Sequence, residues 1–246
     1  MSREERLCIA LDFPTREETL AAARRFGPRV GWIKIGLEAF VSGGPSLVDE
    51  AARSARVFLD LKFHDIPNTV AGAVAAAARS GAALLNVHAL GGREMLLAAQ
   101  RSLPASGNRP KLVAVTLLTS LDAKALADLP VSGHPEGIAR RLAVLAKGCG
   151  LDGVVCSPAD LPVIRSACGP DFLTVVPGIR PAGAAAADQK RFATPREAIA
   201  AGADILVVGR PVTAAPDPEA ALEGLLREIG LPASAGGRSR AAEEWK

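Results

Sequence analysis

The chain has 246 residues, 49% of them hydrophobic and 22% charged, with a formal net charge of +3. Such proportions fit one globular domain, and no apolar run approaches the ~18 residues needed to cross a bilayer. The 29 basic residues are interspersed among 26 acidic ones, and there is no Tyr, two Trp and seven Phe to stack on bases, so neither a membrane nor a nucleic-acid partner is expected.

Residues 2–6 mix both charge signs, and the apolar stretch behind them ends at Asp12, too short for a signal peptide. From there short apolar runs alternate with longer Ala-rich segments. The runs predict strands over 6–11, 31–36, 56–61, 84–88, 112–118, 152–156, 172–176 and 204–208. They are nearly continuous in Val, Ile and Leu, as suits strands buried on both faces of a parallel sheet. The segments between them predict helices over 15–26, 45–54, 67–80, 92–102, 136–148, 158–167, 195–201 and 217–229. Thr15 ahead of Glu17 and Glu18, Ser157 ahead of Pro158, and Thr194 ahead of Pro195 are good helix starts. Eight β-then-α units predict an α/β fold, a (β/α)₈ TIM barrel over residues 1–230. No Gly-x-Gly-x-x-Gly follows the first strand, which weakens a dinucleotide-binding alternative. Residues 121–135 read as a turn-rich insertion and 231–246 as a frayed tail. Cys8, Cys149, Cys156 and Cys168 form no Cys-x-x-Cys pair, so buried, reduced thiols in a cytoplasmic setting are expected.

In such a barrel the active site lies at the C-terminal ends of the strands. An ionised group in an apolar strand is costly unless paired, so the charges there carry information. Strand 1 ends in Asp12, strand 2 carries Lys34, strand 3 ends in Asp60 and Lys62 with Asp65 just beyond, and strand 4 ends near Asn86 and His88. Asp60 and Lys62 are two apart and so share a face. Strands 2 and 3 should be neighbours at ~4.8 Å, which brings Lys34 beside Asp60. The result is an alternation of Lys34, Asp60, Lys62 and Asp65. It fits a catalytic network, or a salt-bridge network on the rim. At the other end of the chain, Pro177-Gly178-Ile179-Arg180-Pro181, then Gln189, then Gly209-Arg210-Pro211 occupy the loops after strands 7 and 8. Barrels often bind phosphate there, and an arginine fork suits it; the plainer reading is a tight turn with a solvent-facing arginine.

The run Asp60-Leu61-Lys62-Phe63-His64-Asp65-Ile66-Pro67-Asn68-Thr69 resembles the signature of the orotidine 5′-phosphate decarboxylases. The resemblance covers about residues 6–229 and includes Ala10-Leu11-Asp12, Lys34-Ile35-Gly36, residues 115–120, the Pro-Gly-Ile-Arg-Pro loop, Asp188-Gln189 and residues 209–213. Mg²⁺-dependent sugar-phosphate decarboxylases and synthases share the Asp-x-Lys-x-x-Asp spacing. The His-Asp-Ile-Pro-Asn-Thr continuation and the paired phosphate segments favour the first group. One departure is the Ala184–Ala187 run, where that family more often has a glycine.

The resemblance implies decarboxylation of orotidine 5′-phosphate to uridine 5′-phosphate with no cofactor and no metal. It implies Lys62 as proton donor to C6, with Lys34, Asp60 and Asp65 completing the charge network. Asp12 and Lys34 would meet the ribose hydroxyls, Thr119 and Ser120 the pyrimidine, and Arg180, Gln189, Gly209 and Arg210 the phosphate. It also implies a homodimer in which Asp65 and Thr69 reach the partner's site, while His88 reads as a satisfied rim histidine. The electron pair left at C6 lies in the ring plane, out of reach of the π-system, so a fixed ammonium beside it is the economical stabiliser. Three rivals remain: the Mg²⁺ branch, which would need an acid such as Glu38, a Schiff-base aldolase using Lys62, and a non-catalytic phosphate-binding barrel.

Overall fold

Eight parallel strands close on themselves: β1 (Leu7–Ala10), β2 (Trp32–Ile35), β3 (Arg56–Phe63), β4 (Leu84–His88), β5 (Lys111–Val115), β6 (Gly153–Val155), β7 (Leu173–Val176) and β8 (Ile205–Val208), each beside the next and β8 beside β1. The structure is a computed structural model that describes residues 1–230 except 106, 108, 122, 129 and 182–191. The tail at 231–246 lies outside the described residues.

Around the barrel run α1 (Arg16–Phe26), α2 (Leu37–Ala51), α3 (Pro67–Ala78), α4 (Gly92–Arg101), α5 (Ala123–Ala127), α6 (Pro135–Gly148), α7 (Leu161–Cys168), α8 (Pro195–Ala200), α9 (Arg210–Thr213) and α10 (Pro218–Gly230). The expected helix starts hold. The Thr15 hydroxyl accepts from the Glu18 N–H, and Thr194 with Glu197 and Ser157 with Asp160 each form a reciprocal capping box. Among the described residues no helix is long and apolar enough to cross a membrane. All four cysteines are buried and none is in a disulfide.

Strand periodicity sorts the side chains into two cores. Leu7, Ile9, Ile33, Ile35, Leu59, Leu85 and Val87 point outward and pack against the helices. Cys8, Ala10, Trp32, Phe58, Leu84, Val113, Val115, Val175 and Val207 fill the barrel interior. A residue two positions beyond an inward one also points inward. That rule places Lys34 above Trp32, Asp60 above Phe58 and Asn86 above Leu84, in one polar layer at the C-terminal mouth.

The structure corrects several boundaries. The helix expected from 45 does begin there, but another helical stretch precedes it: α2 joins two helices across a kink at Gly44, whose φ of 65° is a left-handed conformation open to glycine at little cost. Residues 121–135 are not only turns, since α5 lies there. Leu126 joins Leu117 and Ile138 in a small separate core that anchors the loop after β5. Strand β5 stops at Val115 rather than 118, because Leu117 leaves the sheet for that core. Strand β3 runs two residues past its expected end, to Phe63.

Candidate active site

A cavity of about 290 Å³ opens at the C-terminal mouth of the barrel. Phe58, Val115, Val155 and Val207 from the inner core form its floor. Asp12, Lys34, Asp60 and Lys62 line one side, and Arg180, Gly209 and Arg210 line it from the loops after β7 and β8, with Thr119 at the loop after β5.

The charged side is a chain of contacts. The Lys34 ammonium lies 2.8 Å from an Asp12 oxygen and 3.6 Å from Asp60 Oδ2; the Lys62 ammonium lies 2.7 Å from Asp60 Oδ1. Lys34 and Asp60 are buried. Burial opposes the Asp60 carboxylate, but Lys34, Lys62 and hydrogen bonds from Lys62 and Asn86 outweigh it and hold its pKa below the ordinary value. Burial likewise opposes the Lys34 ammonium, and Asp60 and Asp12 more than offset it, so its pKa is raised. Burial pushes the Cys8 thiol, deep in the barrel, strongly upward.

Local backbone shapes this chain. Lys62 has φ 51°, the left-handed region, where a non-glycine residue costs roughly 1–2 kcal/mol. The pairing of β3 with β4 shifts there, from Leu59 opposite Leu85 to Phe63 opposite Val87. Asn86, fully buried, bridges the gap. Its side-chain oxygen accepts from the Lys62 N–H at 2.8 Å and its amide donates to Asp60 Oδ1 at 2.6 Å. Gly36 is set by close approach. A Cβ there would lie 2.6 Å from Asp12 Oδ1 and 3.0 Å from the Lys34 nitrogen.

On the opposite side, the Arg180 N–H donates to the Ala193 carbonyl at 3.0 Å and the Ala193 N–H to Gly178 at 3.1 Å, which fixes the base of the loop after β7. The Arg180 side chain is buried against the cavity. Gly209 caps α9, whose first residue is Arg210. Opening amides of a helix have no partner within it and suit an anion.

Of the residues singled out from sequence, Asp12, Lys34, Asp60, Lys62, Thr119, Arg180, Gly209 and Arg210 meet at this cavity. Ser120 does not; it is exposed at the second corner of a turn closed by Leu121 N–H to Leu118, beside Thr119. Asp65 is not joined to Lys62 within the chain. It is exposed and accepts from the Ile66 N–H at 2.6 Å, and Thr69 is exposed beyond it. The alternation is therefore Asp12, Lys34, Asp60, Lys62. Gln189 and the Ala184–Ala187 run lie outside the described residues. Glu38 is exposed and does not border the cavity. His88 is not satisfied. Its Nδ1 is buried without a hydrogen-bond partner, its ring lies 5.4 Å from that of His64, and burial, then His64 and Lys62, lower its pKa. The sequence reading gave Asn86 no role, although a polar residue deep in an apolar strand needs partners.

A parallel eight-stranded barrel with alternating charges facing two arginines across its mouth defines the class as a phosphate-ligand enzyme of the TIM-barrel kind. Residues 5–225 match the family model of the orotidine 5′-phosphate decarboxylase / HUMPS family, and the chain belongs to that family. A protein of Anaeromyxobacter sp. (strain K) named orotidine 5′-phosphate decarboxylase is 55% identical over 226 residues, 92% of this chain and 98% of that protein. One of the same name from Nitrosococcus oceani is 51% identical over 227 residues, again 92% and 98% of the two chains. The solved structure of orotidine 5′-phosphate decarboxylase from Lactobacillus acidophilus superposes with a TM-score of 0.79 at 36% identity, covering 92% of this chain and 99% of that one.

Proposed function

We propose that this chain decarboxylates orotidine 5′-phosphate to uridine 5′-phosphate, the last step of UMP synthesis, with Lys62 stabilising and protonating C6. The observation that carries this reading is the Lys62 ammonium, held 2.7 Å from Asp60 at one side of a cavity whose other loops supply Arg180 and Arg210. The names of the relatives at 51–55% identity agree with it.

The bond from C6 to the carboxylate breaks and its electron pair stays on C6 as CO₂ departs. A fixed cation facing that pair stabilises the developing charge, and preorganised charge of this kind is usually the largest catalytic term. The ammonium proton then passes to C6, and the neutral lysine regains one from water. Asp60 holds the ammonium in place, Asp12 and Lys34 meet the ribose hydroxyls, and Thr119 faces the base. Arg180, Gln189, Gly209 and Arg210 bind the phosphate. Binding energy from that remote group then supports the chemistry at C6.

The reading extends to a two-fold homodimer in which Asp65 and Thr69 complete the partner's site. Supporting it, both residues are exposed and off the cavity of their own chain, and the apolar Leu37, Ile66 and Leu90, which follow β2, β3 and β4 at the same end of the barrel, are exposed as well.

A spectrophotometric assay with orotidine 5′-phosphate, with and without EDTA, tests the reaction. Turnover indifferent to EDTA is expected; no turnover, or loss restored by Mg²⁺, overturns the assignment. Mixing Lys62→Ala and Asp65→Asn proteins, each inactive alone, tests the dimer. Random re-pairing makes half the dimers mixed, each with one intact site, so roughly a quarter of full activity returns. A mixture that stays inactive after demonstrated exchange places Asp65 in its own subunit's chemistry.

A further inference from the structure

We infer that Asn86 is a positioning residue for this reaction: its side-chain amide locks the backbone of Lys62 and the carboxylate of Asp60 into the one arrangement that aims the ammonium into the cavity. The inference rests on the decarboxylation reading above and adds a residue to it.

The register makes the case. Between the pairs Leu59 with Leu85 and Phe63 with Val87, β3 advances four residues while β4 advances two. Asn86 is the single β4 residue opposite that excursion. An excursion of this kind leaves backbone groups without ladder partners, and the Lys62 N–H is one. The Asn86 oxygen takes it at 2.8 Å, where a strand carbonyl would ordinarily stand.

Chemistry fixes the orientation of the amide. A backbone N–H only donates and an ionised carboxylate only accepts. Oxygen must therefore face Lys62 and nitrogen must face Asp60, as found at 2.8 and 2.6 Å. Both polar ends of a fully buried side chain are spent on the two residues that present the reacting ammonium. The amide takes Asp60 Oδ1, the same oxygen that holds the Lys62 ammonium, while Oδ2 faces Lys34. A side chain that donates and accepts in that span is required: leucine does neither, and an ionised aspartate cannot donate.

The groups around position 86 are Asp60 and Lys62 on β3, Lys34 on β2 behind Asp60, and His88 on β4 with His64 beside it; its partner on β5 is the apolar Val113. A carboxyl introduced by Asn86→Asp would face Asp60 and take up a proton readily, since neighbouring carboxylates resist ionising together. Once protonated it donates to Asp60 and accepts from Lys62, as the amide does.

The experiment measures kcat and KM for orotidine 5′-phosphate, and the affinity for uridine 5′-phosphate, in wild type, Asn86→Leu and Asn86→Asp across pH. For Asn86→Leu, kcat is expected to fall ~10²-fold, the order that ~1 Å of misplacement costs, with KM and product affinity little moved because Asn86 is not among the residues lining the cavity. For Asn86→Asp, kcat relative to wild type at the same pH rises as pH falls; taking the ratio cancels the titrations of the shared groups. Wild-type kcat in Asn86→Leu, or a loss shared equally by kcat and both affinities, overturns the inference. If Asn86→Leu does not fold, the Asn86→Asp ratio decides, and a ratio flat with pH overturns it. A wild-type protein inactive on orotidine 5′-phosphate would sink the decarboxylation reading instead, which separates the two failures.

Discussion

Both ends of the barrel carry a cation beside a carboxylate, and they use it differently. At the N-terminal end, Arg165 of α7 lies 2.5 Å from Asp204 and donates to the carbonyls of Gly202, Phe172 and Pro170 at 2.6, 2.7 and 3.0 Å. Asp204, just ahead of β8, accepts the Thr174 N–H of β7 at 2.8 Å. Asp152, just ahead of β6, does the same for the Leu112 N–H of β5 at 2.8 Å and sits 3.4 Å from Arg109. There the donors and acceptors are spent on backbone, tying strand starts to neighbouring strands and loops. At the C-terminal end Lys34, Asp60 and Lys62 bond mainly to one another and turn toward a cavity. Both ends pair aspartates with cations, arginines at one and lysines at the other. What separates a structural clip from a working site is whether the spare hydrogen-bonding capacity ends on backbone or on open space.

The comparison breaks if the mouth cluster proves to be a clip too. Lys62→Ala should lower turnover by more than ~10²-fold, the usual minimum for a general acid, while leaving the melting temperature and product binding nearly unchanged. Steady-state kinetics beside thermal unfolding checks this. A melting temperature that falls along with activity would make the upper cluster structural.

The converse holds at the other end. Arg165→Met keeps the aliphatic stem and leaves the part-buried Asp204 carboxylate without its cation, so stability should fall by up to ~3 kcal/mol, the cost of leaving a charged hydrogen-bonding group short of a partner. Urea unfolding reads it, and kcat of the folded fraction should match wild type. A drop in kcat without a change in unfolding would place the lower network in the chemistry.

Next in size comes the phosphate side of the cavity. Arg210→Ala should cost ~1.5–3 kcal/mol of affinity for uridine 5′-phosphate, the worth of a charged hydrogen bond, and little for uridine. Calorimetry with both ligands checks it, and an equal loss for the two would move Arg210 off the phosphate.

Most of the barrel was legible because its strands are pure: eight apolar runs have one plausible partnering once the helices between them are seen. The charges at the mouth were legible for the same reason, standing out in apolar strands at positions where period two points them inward. Asn86 was not, because its importance depends on a register shift between β3 and β4 that no periodicity encodes. The left-handed turn at Lys62 was hidden likewise, since a lysine gives no local signal for positive φ. Asp65 stayed ambiguous for another reason: its expected target belongs to a second chain.

The smallest effect is the one that titrates the comparison. Asp60 has a folded pKa below its ordinary value, so the unfolded chain binds more protons as pH falls. Its contribution to stability is therefore full above ~4, the ordinary aspartate value, and is lost as pH drops through the folded pKa. Lys34 is the mirror case. Its folded pKa is raised, so its contribution is full below ~10.4 and is lost as pH climbs through the folded pKa. Between those limits neither group changes charge, and unfolding free energy should be flat in so far as these two set it. Each limb is bounded by one proton, ~1.4 kcal/mol per pH unit, so the signal is slight and needs a reference. Asp60→Asn supplies one. The variant starts lower on the plateau, because two ammonium groups face each other without their carboxylate, and its acid limb should be shallower than that of wild type. Urea unfolding from pH 2 upward measures the difference. Parallel acid limbs would mean that Asp60 gains no more from Lys34 and Lys62 in the folded state than it does in water, and the mouth cluster would then lack the preorganised charge on which its role at C6 depends.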